Sequence, residues 1–419
     1  MIFRNATVWK QNQFVKKDAV LMDGMLHFFD SNADTVSVSS DGKAVSNCLI
    51  LPGFCDAHVH LREPGFSYKE TIRSGTASAA RGGFTAVCSM PNLNPVPDSR
   101  AHLDEQRDLI LRDACIAVYP YGSLTVGQKG EEIADLDGMA PLVPGFSDDG
   151  KGIQGEEMMR ELMVRAKRLG KIVVAHCEDN ALLFGGYVHD GAYARAHGHR
   201  GICSESEWGP IKRDLALVKE TGCAYHVCHI STKESVELIR RAKAEGLDVT
   251  CETAPHYLTM CDGELLEHGR FKMNPPLRSA EDRDALIEGL LDGTIDMIAT
   301  DHAPHSHEEK SRGLEKSAFG VVGLETSFPV MYTEFVRTGR MTLERLLELL
   351  CFNARRRFSI ESDVGYSVWE VESPYRVDPE EFASLGRATP FEGREVYGKN
   401  LLTVYNGQVV YQNTEKTEE

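Results

Sequence analysis

Eight short apolar runs, each separated from the next by amphipathic or polar chain, limit the fold of this polypeptide more than any other feature. The runs are Gly53–His58, Phe84–Ser89, Cys115–Tyr121, Leu142–Ser147, Lys171–His176, Ala224–Ile230, Leu247–Thr253 and Ile295–Thr300. Stretches with apolar residues at helical spacing intervene, among them Lys69–Arg81, Gly155–Leu169, Lys233–Ala244 and Ala280–Leu291. A strand that is apolar along its whole length is buried on both faces, and alternating helices are what cover parallel strands in that way. Gly82-Gly83, Gly170, Gly222 and Gly246 stand where helices must stop before the next strand, a position that favours glycine because the chain turns left-handed there. Eight strands in βα order predict an α/β fold of the closed (β/α)8 TIM-barrel type. An open doubly wound sheet is the alternative, but no Gly-x-Gly-x-x-Gly turn follows an early strand to support it.

The two ends of the chain read differently. Short strands are expected at Met1 to Val8, Ala19 to Leu21 and Met25 to Phe29, and again at Leu401–Tyr405 and Gln408–Tyr411. Asn406-Gly407 between the last two is a strong hairpin signal, since both residues tolerate the positive φ of a tight turn. The expected organisation is a small β domain built from residues 1–51 and 356–419 around a barrel of residues 52–355.

Composition removes several classes of function. A hydrophobic share of 42% with 26% charged residues suits a soluble globular protein. No apolar run is long enough for a membrane helix, and Met1-Ile2-Phe3-Arg4-Asn5 lacks the pattern of a secretory signal. A cytoplasmic protein with no membrane partner is expected. The net charge of −17 argues against nucleic acid. Eleven cysteines are scattered singly with no C-x-x-C pair, which reads as buried free thiols rather than a cysteine metal site.

In a barrel of this kind, functional groups gather at the C-terminal ends of the strands. The first strand ends Asp56-Ala57-His58-Val59-His60-Leu61-Arg62. Alternation puts His58 and His60 on one face, with Cβ atoms roughly 6–7 Å apart. Two imidazoles so placed can converge on one cation, each at about 2.0–2.1 Å. The fourth strand leads into Ser147-Asp148-Asp149-Gly150 and the fifth into His176-Cys177-Glu178; the sixth carries Cys228-His229 and the eighth Thr300-Asp301-His302. Singly, each is more simply a hydrogen-bonded core or cap residue. Jointly they predict a metal centre at the barrel mouth. His197-Gly198-His199 repeats the His-x-His spacing in a polar segment without a strand pattern, and is assigned to a solvated loop.

The run from Pro52 to Gly65, together with Met90-Pro91-Asn92, Phe271 to Arg278 and Thr300 to His305, resembles the class I, bacterial-type dihydroorotases of the amidohydrolase superfamily. The likeness spans about Leu51 to Phe328. It weakens after Leu350, where Phe352-Asn353-Ala354-Arg355 replaces the family's usual Asn-Pro-Ala turn. The resemblance implies a binuclear Zn2+ centre: His58 and His60 with Asp301 on one ion, His176 and His229 on the other. Many relatives bridge the ions with a carboxylated lysine; here Asp149 is the expected bridge and Asp148 the alternative, with one ion held more weakly. Asp301 would be the catalytic base and acid. Arg62, Asn92 and His305 would hold the substrate carboxylate, with Asn274 and the backbone of Phe319-Gly320 on the ring amide and His60 also among the substrate-binding residues. Arg62 shares strand parity with His58 and His60; the bland alternatives are a salt bridge to Glu63 or Glu70 for Arg62 and a turn-forming role for Asn92. The polar segment from His305 to Gly320 is a candidate lid. Cys177, Cys228, His256 and His302 read as packing or supporting groups.

The implied activity is closure of carbamoyl aspartate to dihydroorotate in de novo pyrimidine (UMP) synthesis, with a homodimer expected. Alternatives are another cyclic amidohydrolase (dihydropyrimidinase, hydantoinase or allantoinase) and a non-catalytic scaffold for aspartate transcarbamoylase. Partnership with that transcarbamoylase is also compatible with activity.

Overall fold

A computed structural model of the chain describes residues 1–30 and 44–413. Phe54–Val59 pairs in parallel with Phe84–Ser89, and that strand with Ala117–Pro120. The chain then passes through Tyr121, whose N–H bonds to Ser89 O, into Gly122–Ser123. From there parallel pairing runs on through Gly145–Ser147, Ile172–Ala175, Tyr225–Val227, Val249–Thr253 and Met297–Ile298. A parallel bridge from Val59 to His302, and a 2.8 Å hydrogen bond from His60 N–H to His302 O, bring the last strand back to the first. The sheet is therefore closed, as the βα alternation predicted.

Several strands are shorter than the apolar runs that announced them. Ala224–Ile230 gives only Tyr225–Val227, and Ile295–Thr300 only Met297–Ile298. The physical reason lies just beyond, where His229 (φ 32°) and Asp301 (φ 46°) leave the extended region altogether. Strand pairing cannot continue through such residues. The helices match more closely: Lys233–Ala244 is as expected, and Thr71 caps Ile72–Arg81, which leaves Lys69 and Glu70 outside that helix. Gly83, Gly170, Gly222 and Gly246 take positive φ at the helix ends; Gly82 does not.

The two chain ends join in one sheet. Its order is Gln408–Gln412, Lys399–Tyr405, Tyr366–Glu370, Leu49–Pro52, Ile2–Lys10, Gln13–Met22 and Met25–Phe29, with Ala44–Ser46 beside Ile2–Lys10. Asn406 and Gly407 both have positive φ in the final hairpin. Tyr366–Glu370, which sequence reasoning missed, is an interior strand, and its Trp369 ring stacks on Phe54 (5.8 Å) and meets Phe328 at 4.3 Å. That aromatic cluster seats the sheet on the barrel wall. At the barrel's opposite end, Phe358 packs edge-on against Tyr121 and His226. All eleven cysteines are unpaired, most of them buried. No helix among the described residues is long and apolar enough to cross a membrane.

Candidate metal centre and substrate cavity

The first strand delivers His58 and His60 side by side, ring centroids 5.3 Å apart. Their outer nitrogens are fixed from behind. His58 Nδ1 lies 2.7 Å from Glu252 Oε1, and because a carboxylate only accepts, Nδ1 carries a proton and Nε2 is the nitrogen left for a metal ion. His60 Nδ1 lies 2.9 Å from Asn92 Oδ1. The two free Nε2 atoms face the mouth, His58 Nε2 standing 3.4 Å from Asp149 Oδ1 and His60 Nε2 3.0 Å from Asp301 Oδ1. From the other side of the barrel, His176 Nδ1 and His229 Nε2 both stand 3.5 Å from Asp149 Oδ1 and 3.0 Å from each other.

This arrangement fits divalent cations. His58–His60–Asp149 and Asp149–His176–His229 each bring one ligand atom per residue within 4.8 Å of one another, and the two trios share Asp149. His58 Nε2, His176 Nε2 and Asp149 Oδ1 are buried without a hydrogen-bond partner. Leaving such atoms unsatisfied is costly inside a protein, and nitrogen with neutral imidazole and carboxylate donors is the set that zinc-like ions take. The field has the right sign as well. Burial alone would raise the carboxyl of Asp149, but the charge of His58 and the approach of His176 and His229 to 3.5 Å hold it well below the usual range. Burial would likewise raise Asp301, yet the bond from His60 and the neighbouring charges hold it at about 2. Both are ionised at neutral pH.

Asp148 and Asp149 separate cleanly. Asp148 Oδ1 accepts from Ser123 Oγ and Leu124 N at 2.8 Å, and Oδ2 accepts from Thr125 Oγ1, so it ties the fourth strand to the neighbouring loop. Asp149 alone faces the four histidines.

Arg62 reaches the mouth by a different route from the one its parity suggested. The strand ends at Val59, and Arg62 sits at φ 61°, a left-handed conformation rare outside glycine. With His229 and Asp301 it makes three site residues in this region, a common mark of functional positions. The side chain is 8% exposed, its Nε donates to Pro304 O at 3.1 Å, and no carboxylate among the described residues lies within 4 Å of its nitrogens. The salt bridge to Glu63 or Glu70 is absent: Glu63 accepts from Ile72 N, and Glu70 accepts from Ser74, Ser384 and Leu385.

Arg62, Asn92, Asn274, His305 and Phe319 line, with the metal-facing residues, a cavity of about 310 Å³. Asn92 spends its oxygen on His60 rather than on a turn, which leaves its NH2 beside the cavity. Asn274 donates Nδ2 to Glu178 Oε1 at 2.8 Å, so its own oxygen is the atom turned to a ligand. Burial, reinforced by the charges of Arg62 and Lys69, lowers His305 to about 3. The neutral ring gives its one N–H, on Nε2, to Phe319 O at 2.7 Å. Gly320 does not line the cavity: its N–H bonds to Lys272 O, and its carbonyl accepts from Lys310 Nζ. A Cβ there would stand 2.7 Å from Ala303 O, at a φ of 127°. Segment 305–320 is itself structured, with short helices His307–Lys310 and Gly313–Lys316.

Two carboxylates escaped the sequence reading. Glu252, 1% exposed, lies inside the seventh strand, where an acidic residue within Val249–Thr253 was a legible sign of a buried partner. Glu178 was quoted in its motif but given no role. The His197–His199 pair is not the expected solvated loop: His197 is exposed but ends the helix Ala192–His197, and His199 is half-buried, bonding to Tyr187 and Glu267. His302 sits behind the site against Glu70; His256 is buried with one ring nitrogen unpartnered.

Comparison with known proteins agrees with this architecture. A family model described as Dihydro-orotase-like matches residues 47–235. The chain is 44% identical to the dihydroorotase of Fusobacterium nucleatum, with 99% of each chain covered. It is 48% identical to that of Bacillus caldolyticus, covering 91% of this chain and 90% of the other. Among solved structures it resembles an L-hydantoinase from Arthrobacter aurescens (TM-score 0.83, 27% identity, 100% of this chain and 97% of that one). The fold is shared with a dihydropyrimidinase from Brevibacillus agri at TM-score 0.81, 20% identity and coverage of 99% and 95%. Near-full-length identity of this order, with the histidine–aspartate mouth of a metal-dependent barrel, places the chain in the dihydroorotase family.

Proposed function

We propose that the chain is a zinc-dependent dihydroorotase, interconverting N-carbamoyl-L-aspartate and L-dihydroorotate in de novo pyrimidine synthesis. The observation that carries the substrate assignment is Arg62, a buried guanidinium with no carboxylate among the described residues within 4 Å of its nitrogens, opening on the same cavity as Asp301. A buried cation of this kind is matched by an anionic ligand. Rings without an acidic substituent, such as hydantoin or dihydrouracil, would leave it unmatched.

His58, His60 and Asp301 would hold one zinc ion and His176 and His229 a second, with Asp149 between them. Ions there would supply Lewis-acid activation of the ring amide and of the water that attacks it. The protein supplies the rest. Arg62 and the free NH2 of Asn92 grip the carboxylate, and His305 can turn its N–H from Phe319 O to the same group. Asn274 accepts from the ring or ureido N–H. Asp301, ionised and 3.0 Å from His60, takes a proton from the attacking water and hands it to the ring nitrogen as the C–N bond breaks. Cyclisation runs the same transfer in reverse. Glu252 keeps His58 in one tautomer throughout.

The relatives' dihydroorotase names support the same reading, and we extend it to a cytoplasmic homodimer. The deciding experiment follows ring opening of dihydroorotate by purified protein before and after chelation, with bound zinc counted per chain. Chelator-sensitive turnover on dihydroorotate and none on dihydrouracil is expected. The reverse preference would overturn the assignment.

A further inference from the structure

Lys310 belongs to no strand end and lines neither the metal centre nor the cavity, yet it is 5% exposed. Lysine is rarely buried unless its ammonium is fully engaged. Here Nζ donates to three backbone carbonyls, Lys272 O at 3.0 Å, Ala318 O at 2.8 Å and Gly320 O at 2.7 Å. An ammonium has three N–H bonds and no acceptor, so its capacity is used completely.

The choice of carbonyls matters. Ala318 and Gly320 flank Phe319, whose ring lines the cavity and whose carbonyl takes the N–H of His305. Lys272 lies two residues before Asn274, another cavity residue. A single side chain therefore ties two irregular segments together, neither of them carried by the barrel's pairing. The same seam is reinforced by Gly320 N–H on Lys272 O and by Lys272 Nζ on Glu315 O, with Lys272 Nζ also 4.4 Å from the centre of the Phe319 ring. Without Lys310, the Ala318 and Gly320 carbonyls would lose their partner and Lys272 O would keep only the Gly320 N–H, so the segment would have to open to water to satisfy them.

We propose that Lys310 is a positioning residue for substrate binding, bracing Phe319 and His305 against the Lys272–Asn274 segment so that the substrate wall exists before the ligand arrives. This rests on the dihydroorotase reading above, in which His305, Phe319 and Asn274 meet the substrate.

The test uses the full-length, metal-loaded Lys310→Met protein, which keeps the apolar stem and removes the donors. Amide hydrogen exchange at residues 317–321 without substrate should quicken by about tenfold or more, because the backbone there loses its anchor. KM for dihydroorotate should rise by about tenfold, kcat should stay within about threefold, and metal content should not change, since the loss is of binding made before the chemical step. Lys310→Ala supplies a second arm: ethylammonium should recover part of its KM and leave the wild-type protein unaffected, which a general loss of stability would not allow. Unchanged exchange in Lys310→Met, or quickened exchange with an unchanged KM, would overturn the proposal. Failure of the wild-type protein to turn over dihydroorotate would instead sink the underlying reading, and the exchange measurement would still decide whether the brace exists.

Discussion

Replacing Arg62 with Met separates substrate recognition from structure, because the two readings predict opposite signs for stability. Arg62 is nearly fully buried, and that burial pushes its guanidinium below its ordinary pKa, while no carboxylate among the described residues lies within ion-pairing distance. Asp301, Asp149, Glu309 and Glu70 attract it only from beyond that distance, so the free protein carries the desolvation cost of a cation with a partial offset. Methionine fills similar length, removes that cost and loses one hydrogen bond, to Pro304 O. A hydrogen bond from a charged donor contributes about 1.5–3 kcal/mol, against several kcal/mol for taking an ion out of water, so the melting temperature of the variant should be unchanged or higher. Binding behaves in the other direction. Breaking a buried, hydrogen-bonded charge pair costs about 3–5 kcal/mol, and at 1.4 kcal/mol per decade the KM for dihydroorotate should rise on the order of 10²- to 10³-fold. A carboxylate is held alike in ground and transition states, so kcat should move little. The assay is steady-state ring opening of dihydroorotate, with thermal melting and metal content on the same preparation. A lowered melting temperature with an unaltered KM would refute the argument and return Arg62 to a structural role.

Asp301→Asn should lower kcat by on the order of 10³-fold while the protein melts normally, since a proton shuttle contributes about 10²–10⁴-fold; near-normal turnover would remove Asp301 from the mechanism. Glu252→Gln keeps the shape beside His58 but offers an NH2 to Nδ1 as readily as an oxygen. Zinc retention during dialysis against a chelator should fall by about 10- to 100-fold, and unaltered retention would show that Glu252 does not set the tautomer. Metal uptake should expel protons. Burial alone would lower His176, but bonds to Asp149 and Glu178 raise it to about 10 in the metal-free protein, so below that value the ring is protonated and must lose its proton to ligate. Zinc affinity should therefore strengthen as pH rises towards about 10, with protons released into a weakly buffered indicator solution at about pH 8. No release would contradict the role of His176.

The barrel was legible because its signal is collective: eight apolar runs, helices between them, and glycines such as Gly170 and Gly222 at positive φ where helices end. The metal-facing residues were legible for a related reason, since each follows a run and the spacing of His58 and His60 survives at the first strand end. What the sequence could not show is how the chain leaves the strands. Parity placed Arg62 with His58, but the φ of 61° at Arg62 means that it arrives by a left-handed turn. Asp149 was preferred to Asp148 only by resemblance; Ser123, Leu124 and Thr125, from the preceding segment, show that Asp148 is consumed by structure. Tyr366–Glu370 was missed because its partners, Leu49–Pro52 and Lys399–Tyr405, are remote in sequence. Lys310 stood unremarked in the polar segment read as a candidate lid, because its three carbonyl partners cannot be read from sequence.

These failures share a cause that bears on how such a site works. The groups proposed to hold the metal, His58, His176, His229 and Asp301, stand in or within three residues of barrel strands, which keeps them close to the closed sheet. The groups proposed to recognise the substrate, Asn274, His305 and Phe319, stand on segments that the sheet does not hold and that depend on Lys310 and Lys272 for their placing. The barrel is common to proteins only 20–27% identical to this chain, at TM-scores of 0.81–0.83. A change of substrate within such a scaffold can therefore proceed through the braced segments while the strand ends stay as they are. The same division makes Arg62 the most telling residue here: it leaves the first strand through a left-handed turn, and its side chain lines the same cavity as Asp301.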